Sequence, residues 1–268
     1  MVAFLFSLNT MRATILLFLL LFSSLSHAQE YTLADTLRGT LSSIRSCFDV
    51  TYYDLQIDLD IESKTLTGVN HIHFTNTADY DLFQIDLFKN MRLDNVLYNG
   101  QTLKFERKHD AVFVSFPSTM KKGESGMISV HYAGTPIAAK NAPWDGGFVW
   151  KQDANGKPWI GVACEGTGAS LWWPNKDHLS DEPDSMRISC ITPADLMCVS
   201  NGELESKASL GNRTVWNWKV SYPINNYNVT LNVADYGHFA NTYTNSSGEE
   251  LKCDYYVLKD NLEKAKEQ

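Results

Sequence analysis

An all-β fold, an antiparallel sandwich followed by the start of a helix, is what this 268-residue chain predicts. Three observations carry the prediction. Leu55, Ile57, Leu59 and Ile61 alternate with Asp54, Gln56, Asp58 and Asp60, which gives a strand one buried and one wet face. Asn99-Gly100 sits between Val96-Leu97-Tyr98 and Leu103-Lys104-Phe105, a hairpin signal. Strand and turn signals then recur every roughly 8–12 residues, the spacing of a sandwich rather than a parallel sheet.

The first element is not part of that fold. Arg12 precedes an apolar run and the segment Ser-Ser-Leu-Ser-His-Ala28, which reads as a secretory signal peptide over 1–28. Met11 is an alternative start, since Met1–Thr10 adds a second apolar stretch that a signal does not need. The run is too short for a stable membrane span. The chain is therefore expected to be exported, periplasmic or secreted, with a mature start near Gln29.

Residues 50–135 read as antiparallel strands, with a turn at Leu66-Thr67-Gly68, strand residues Ile72 and Phe74, and a strand of Val112, Val114 and Phe116 ending at Pro117. Met127–Tyr132 stops at Gly134. Residues 136–184 read as loop-rich, with Pro143, Gly146-Gly147, Asn155-Gly156, Pro158 and Pro174. Strands resume over Met186–Ile191, Leu196–Ser200, Val215–Val220, Val229–Val233 and Cys253–Val257. From Leu258 to Gln268 the residues are helix formers, with Leu258, Leu262 and Ala265 on one face and Asp260 or Asn261 as cap. That segment reads as a truncated helix.

Composition narrows the function. Twenty-three basic residues stand against 31 acidic ones, a net charge of −8. No basic patch interleaves with aromatics, so nucleic acid is not an expected partner. No H-E-x-x-H occurs among the seven histidines. His71 and His73 share one side of a strand, but without a third ligand they read as polar-face residues. The carboxylates Asp177, Asp181, Glu182 and Asp184 lack the alternating ligands of a calcium loop and read as solvated or internally hydrogen-bonded. Ser170, Ser180 and Ser185 have no nucleophile-elbow context. Cys190 and Cys198 flank a Pro-Ala-Asp turn, and both a disulfide and two buried thiols fit that spacing. Asn212, Asn228 and Asn245 open glycosylation sequons that matter only in a eukaryotic host.

One stretch remains, Cys164-Glu-Gly-Thr-Gly-Ala-Ser-Leu-Trp-Trp-Pro174. Gly166 and Gly168 allow a tight turn that holds Glu165. Trp172 and Trp173 supply apolar area to anchor it, more naturally as core than as a sugar platform. On residue chemistry alone Glu165 is equally a ligand carboxylate and a capping one.

With Asp181-Glu-Pro183, Pro193, Ser200-Asn-Gly202, Gly68, Asp145-Gly-Gly-Phe148 and Tyr227–Tyr236, this stretch resembles the N-terminal domain of the aminopeptidase N family, zinc metallopeptidases of the gluzincin group. The resemblance covers about residues 45–257. It implies a saddle-like β-sandwich over 29–257, and a catalytic domain that would begin with the helix at 258–268. It also implies that zinc belongs to that missing domain, none being bound by this chain, which alone should be inactive. Glu165 matches the family's Gln or Glu that binds a substrate's free α-amino group, so peptide N-termini and the catalytic domain are the implied partners. Two residues earlier, where relatives often carry Gln, stands Ala163. A second reading is a non-enzymatic exported β-sandwich that binds carbohydrate or protein through Trp144, Trp150, Trp172 and Trp173.

Overall fold

The computed structural model describes residues 31–268; the signal segment read at 1–28 lies outside the described residues. The chain divides into two units, Met1–Thr36 and Leu37–Gln268. In the first, the Thr32 N–H donates to Asp35 Oδ2 (2.8 Å) and the Asp35 N–H donates to Thr32 Oγ1 (3.3 Å). This reciprocal pair caps the start of helix α1 (Leu33–Gly39).

In the second unit a short helix α2 (Ser43–Ser46) leads into β1 (Phe48–Asp60), β2 (Thr65–Asn76), β3 (Tyr80–Asp86) and β4 (Met91–Tyr98). Next come β5 (Gln101–Thr102), β6 (Lys104–Lys108), β7 (Ala111–Met120), β8 (Ser125–Gly134), β9 (Gly147–Gln152) and β10 (Pro158–Ala163). Then β11 (Ser185–Pro193), β12 (Met197–Ser200), β13 (Glu203–Leu210) and β14 (Arg213–Val220) follow. The last are β15 (Leu231–Ala234), β16 (Tyr236–Thr244), β17 (Glu250–Leu258) and helix α3 (Leu262–Lys266).

These strands form an eight-stranded sheet, β13-β14-β11-β1-β2-β8-β4-β5, a four-stranded sheet, β12-β15-β10-β9, a three-stranded sheet, β3-β7-β6, and the hairpin β16-β17. The alternation along β1 sorts as the sequence predicts for Leu55, Ile57 and Leu59, which are buried, and Asp54, Gln56 and Asp58, which are half-buried, but Ile61 lies past the strand's end and is only half-buried. Each of the two smaller sheets packs on the large sheet's apolar face. On one side Phe74 of β2 meets Phe83 of β3 edge-on at 5.7 Å. On the other, Trp218 Nε1 of β14 donates to the Cys198 carbonyl of β12 at 3.0 Å. One continuous core joins all three sheets, as a sandwich requires.

The hairpin at Asn99-Gly100 forms, with φ of 51° and 76° at the two residues, the paired positive values of a type I′ turn. Its second strand is only Gln101–Thr102; Lys104–Lys108 departs to the three-stranded sheet. Several expectations need correction. Leu66-Thr67-Gly68 is not a turn but lies inside β2, where a Cβ on Gly68 would come within 2.7 Å of the Tyr132 ring. Glycine there serves close packing, which local sequence does not distinguish from a turn. β7 runs through Pro117 instead of stopping there. The loop-rich stretch 136–184 also contains β9 and β10, two strands not expected there, whose backbone pairing outweighs their glycine and proline content.

Val229 precedes β15, after a 3₁₀ turn at Asn226–Asn228. β11 runs parallel to β1, unlike the antiparallel remainder. The chain leaves the large sheet after β8, builds β9 and β10 elsewhere, and returns at β1's free edge; a parallel neighbour needs such a long crossover. At the end, Leu258 closes β17 rather than opening a helix, and a 3₁₀ turn at Lys259–Asn261 precedes α3. Neither predicted cap works as one: Asn261 makes no side-chain cap bond, and Asp260 accepts from Asn155 Nδ2 at 2.5 Å.

Candidate functional site around Glu165

Glu165 follows β10 directly. The Cys164 carbonyl accepts from the N–H groups of Thr167 (3.0 Å) and Gly168 (2.9 Å), closing a tight turn around Glu165. Gly166 and Gly168 take φ of 64° and 79°, values that side chains with a Cβ disfavour. Behind the turn, a Cβ on Gly168 would lie 2.4 Å from Asp177 Oδ2. The same oxygen accepts from Ser170 N–H (3.0 Å) and Ser170 Oγ (2.6 Å). A neighbouring loop presses from the other side: a Cβ on Gly146 would collide with Thr167 Oγ1 and approach the Glu165 carbonyl to 2.9 Å. That loop is itself held by Asp145, which accepts from the N–H groups of Lys140 (2.6 Å) and Asn141 (2.7 Å).

Beneath the turn lies a buried polar network. Asp86 Oδ2 accepts from Arg45 Nη2 at 2.6 Å and from the Asp177 N–H at 3.1 Å, while Gln84 Nε2 donates to Oδ1 at 2.8 Å. Arg45 has no solvent exposure. Its Nη1 and Nη2 also reach the Arg38 carbonyl (2.6 Å), Thr40 carbonyl (3.2 Å) and Asp177 carbonyl (2.8 Å). A guanidinium thus satisfies a helix-end carbonyl and ties it to the loop. Nearby, Lys176 Nζ pairs with Asp181 at 3.1 Å and donates to the Phe48 carbonyl at 2.6 Å. Burial pushes both Asp86 and Asp181 up to about 6, outweighing the downward pull of Arg45 and Lys176 respectively.

Trp172 and Trp173 are fully buried; Trp172 meets Phe148 edge-on at 6.1 Å and Trp173 meets Tyr53 at 5.0 Å. They anchor the turn to the core and offer no platform for sugar. Trp144 is 77% exposed, while Trp150 stacks on Phe148 at 5.3 Å. The four tryptophans therefore do not line one surface. Of the acidic cluster, Asp177 and Asp181 are internally bonded, as expected.

Glu165 itself is exposed. It borders an open hollow of about 490 Å³, together with Trp144, Val162, Ala163, Tyr227 and Val229. The Tyr227 hydroxyl donates to Glu165 Oε2, and this bond holds the hydroxyl's pKa above its ordinary value. Tyr227 stands on the 3₁₀ turn, where its N–H donates to Asn225 Oδ1 at 3.0 Å. Buried Asn226 fixes that turn to the loop by donating to the Lys176 carbonyl at 2.9 Å. Sequence reasoning did not join Tyr227 to Glu165, and no local signal links residues so far apart.

The described residues do not fit a zinc ion: no group of three His, Cys, Asp or Glu side chains is arranged to hold a metal. His71 Nδ1 shares a hydrogen bond with Ser129 Oγ at 2.8 Å, and His73 lies edge-on to Tyr52 at 5.4 Å. Cys190 and Cys198 are buried free thiols. No helix among the described residues is long and apolar enough to cross a membrane.

No protein-family model matches the chain, and no curated protein matches it either. Solved structures do. A mutant M1 zinc metallopeptidase from Deinococcus radiodurans, bound to a Tyr-Ser-Ala substrate, superposes with a TM-score of 0.66 at 20% identity. The match covers 78% of this chain and 47% of that one. Another structure of an M1 zinc metallopeptidase from the same organism gives 0.64 at 19%, over 77% and 46%. A two-domain M1 zinc metallopeptidase mutant bound to L-tryptophan gives 0.66 at 20%, over 77% and 47%. The chain spans less than half the length of these structures. Its fold is that of a β-rich domain of an M1 zinc metallopeptidase.

Proposed function

We propose that this chain is the substrate-anchoring β-domain of an exported zinc aminopeptidase, which removes N-terminal residues from peptides in the periplasm or outside the cell. Glu165 accepts the substrate's free α-amino group. The observation that carries this reading is a solvent-facing carboxylate on a rigid turn, at the edge of an open hollow, on a scaffold with the M1 fold. An exopeptidase must distinguish a terminal ammonium from an internal amide, and a fixed carboxylate does so through a charge-assisted hydrogen bond. Zinc and the reacting groups are assigned to a catalytic domain outside this sequence, so no chemical step falls to these residues. Their work is to bind and orient.

The test is Glu165→Gln in the complete enzyme, with kinetics on a free peptide. Loss of one charged hydrogen bond is expected to cost about 1.5–3 kcal/mol of transition-state binding. Unchanged kcat/KM on the free peptide would reject the role given to Glu165.

A further inference from the structure

We propose that Tyr227 is a positioning residue for Glu165, which aims one carboxylate oxygen into the hollow as the acceptor for a primary ammonium. This rests on the reading of Glu165 given above and adds a second residue to it. A free glutamate on a surface turn samples several rotamers, and binding a cation through one of them costs side-chain entropy. Here the Tyr227 hydroxyl engages Oε2, which leaves Oε1 without that partner. Both residues border the same hollow.

The tyrosine is itself well fixed. Its backbone is held by the Asn225 side chain, and the adjacent Asn226 is 3% exposed and bonded to Asn175 Oδ1 (3.2 Å) and the Lys176 carbonyl. Lys176 and Asp177 belong to the same network that supports Gly168. Glu165 and its hydroxyl partner are thus referenced to one buried frame from two directions, the condition for a carboxylate to be preorganised rather than merely present. The rest of the lining includes Val162, Val229 and Trp144. An apolar wall beside one aimed oxygen suits an ammonium that carries an apolar side chain.

L-Leucinamide, a primary ammonium with an apolar side chain and no carboxylate, is the probe, and N-acetyl-leucinamide the uncharged control. Titrations of the chain are followed by NMR at the Gly166 and Gly168 amides. L-Leucinamide is expected to shift both amides and the acetylated control neither. Tyr227→Phe, which removes only the hydroxyl, should weaken Kd roughly threefold to tenfold, the range for one hydrogen bond. Glu165→Gln should weaken it more than tenfold. Tyr222→Phe, on an exposed tyrosine outside the hollow, should change nothing.

A second readout reports the bond itself, the titration of the Tyr227 ring followed by NMR of isotope-labelled tyrosine, while a merely structural Tyr227 would lower stability in urea on Tyr227→Phe without weakening Kd. Glu165→Gln should return that titration toward the ordinary tyrosine value. Should Tyr227→Phe bind as tightly as the unsubstituted chain while Glu165→Gln fails, the positioning role falls and the reading of Glu165 stands. Absence of any L-leucinamide shift in the unsubstituted chain overturns both.

Discussion

Glu165 and Asp86 carry the same functional group, and the molecule treats them in opposite ways. Glu165 is exposed, accepts one tyrosine hydroxyl and borders an open hollow. Asp86 is 2% exposed and accepts from a guanidinium, a side-chain amide and a backbone N–H. A carboxylate with most of its acceptor capacity consumed inside the protein organises structure; one with capacity left over, held still at a surface, is equipped to bind. The two are also connected in series. Asp86 holds Asp177, Asp177 abuts Gly168, and Gly168 closes the turn that presents Glu165. Stability spent on the buried end fixes geometry at the exposed one.

The sharpest way to break this contrast is Asp86→Ala. It removes both oxygens that accept from Arg45, Gln84 and the Asp177 N–H, and leaving those buried donors unpaired costs about 3–5 kcal/mol. Urea unfolding should show that loss, whereas Glu165→Gln should stay within about 0.5 kcal/mol of the parent. Comparable losses for the two would mean that the division between a carboxylate that organises the fold and one that the fold does not depend on is wrong.

Acidity sharpens the same point. Asp86 and Asp181 sit at about 6 in the folded chain because burial resists their charge. An acid whose folded value is raised binds protons more readily folded than unfolded. Its contribution is therefore fully present below the ordinary carboxylate range and lost as pH rises through about 6. Melting temperature is expected to rise as pH falls from 7 toward 5, and Asp181→Asn should flatten that slope. Below about 4 the trend reverses. Asp79 and Asp254 are held low, chiefly by the Lys122 N–H and by Lys252 respectively, and stabilisation from such groups is lost as they protonate. A melting temperature that falls steadily from pH 7 downward would contradict the raised values at Asp86 and Asp181.

The exposed half of this arrangement was more legible in sequence than the buried half. Period-two alternation in β1, the positive-φ pair Asn99-Gly100 and the tryptophans behind Glu165 are local patterns, and local patterns survive in a one-dimensional reading. Glu165 stood out because two glycines follow it within three residues. Arg45 did not, because a lone arginine near a short helix has no mark that it will be buried 41 residues from its aspartate. Tyr227 reaches Glu165 across 62 residues, a contact made by tertiary packing alone. β13 was missed for a different reason. All eight of its residues are exposed, so no buried face marks it as part of the core, and its place at the sheet edge comes from pairing with β14.

The smaller test separates the two glycines that present Glu165. Both have positive φ, but a Cβ on Gly166 would meet nothing within 4 Å, whereas one on Gly168 meets Asp177. Gly166→Ala should therefore cost only the backbone term, about 1 kcal/mol. Gly168→Ala carries the same term and must also displace Asp177, which strains its bonds from Ser170 and to Asp86. A total of about 2–4 kcal/mol is expected in urea unfolding. The difference between the two alanines then measures how firmly the buried network grips the turn that presents Glu165. Equal costs would show that the turn closes by its own backbone bonds, with Asp177 a bystander. A larger cost at Gly168, lessened when Asp177→Ala is made first, would show coupling between the two positions, since residues in direct contact are not additive.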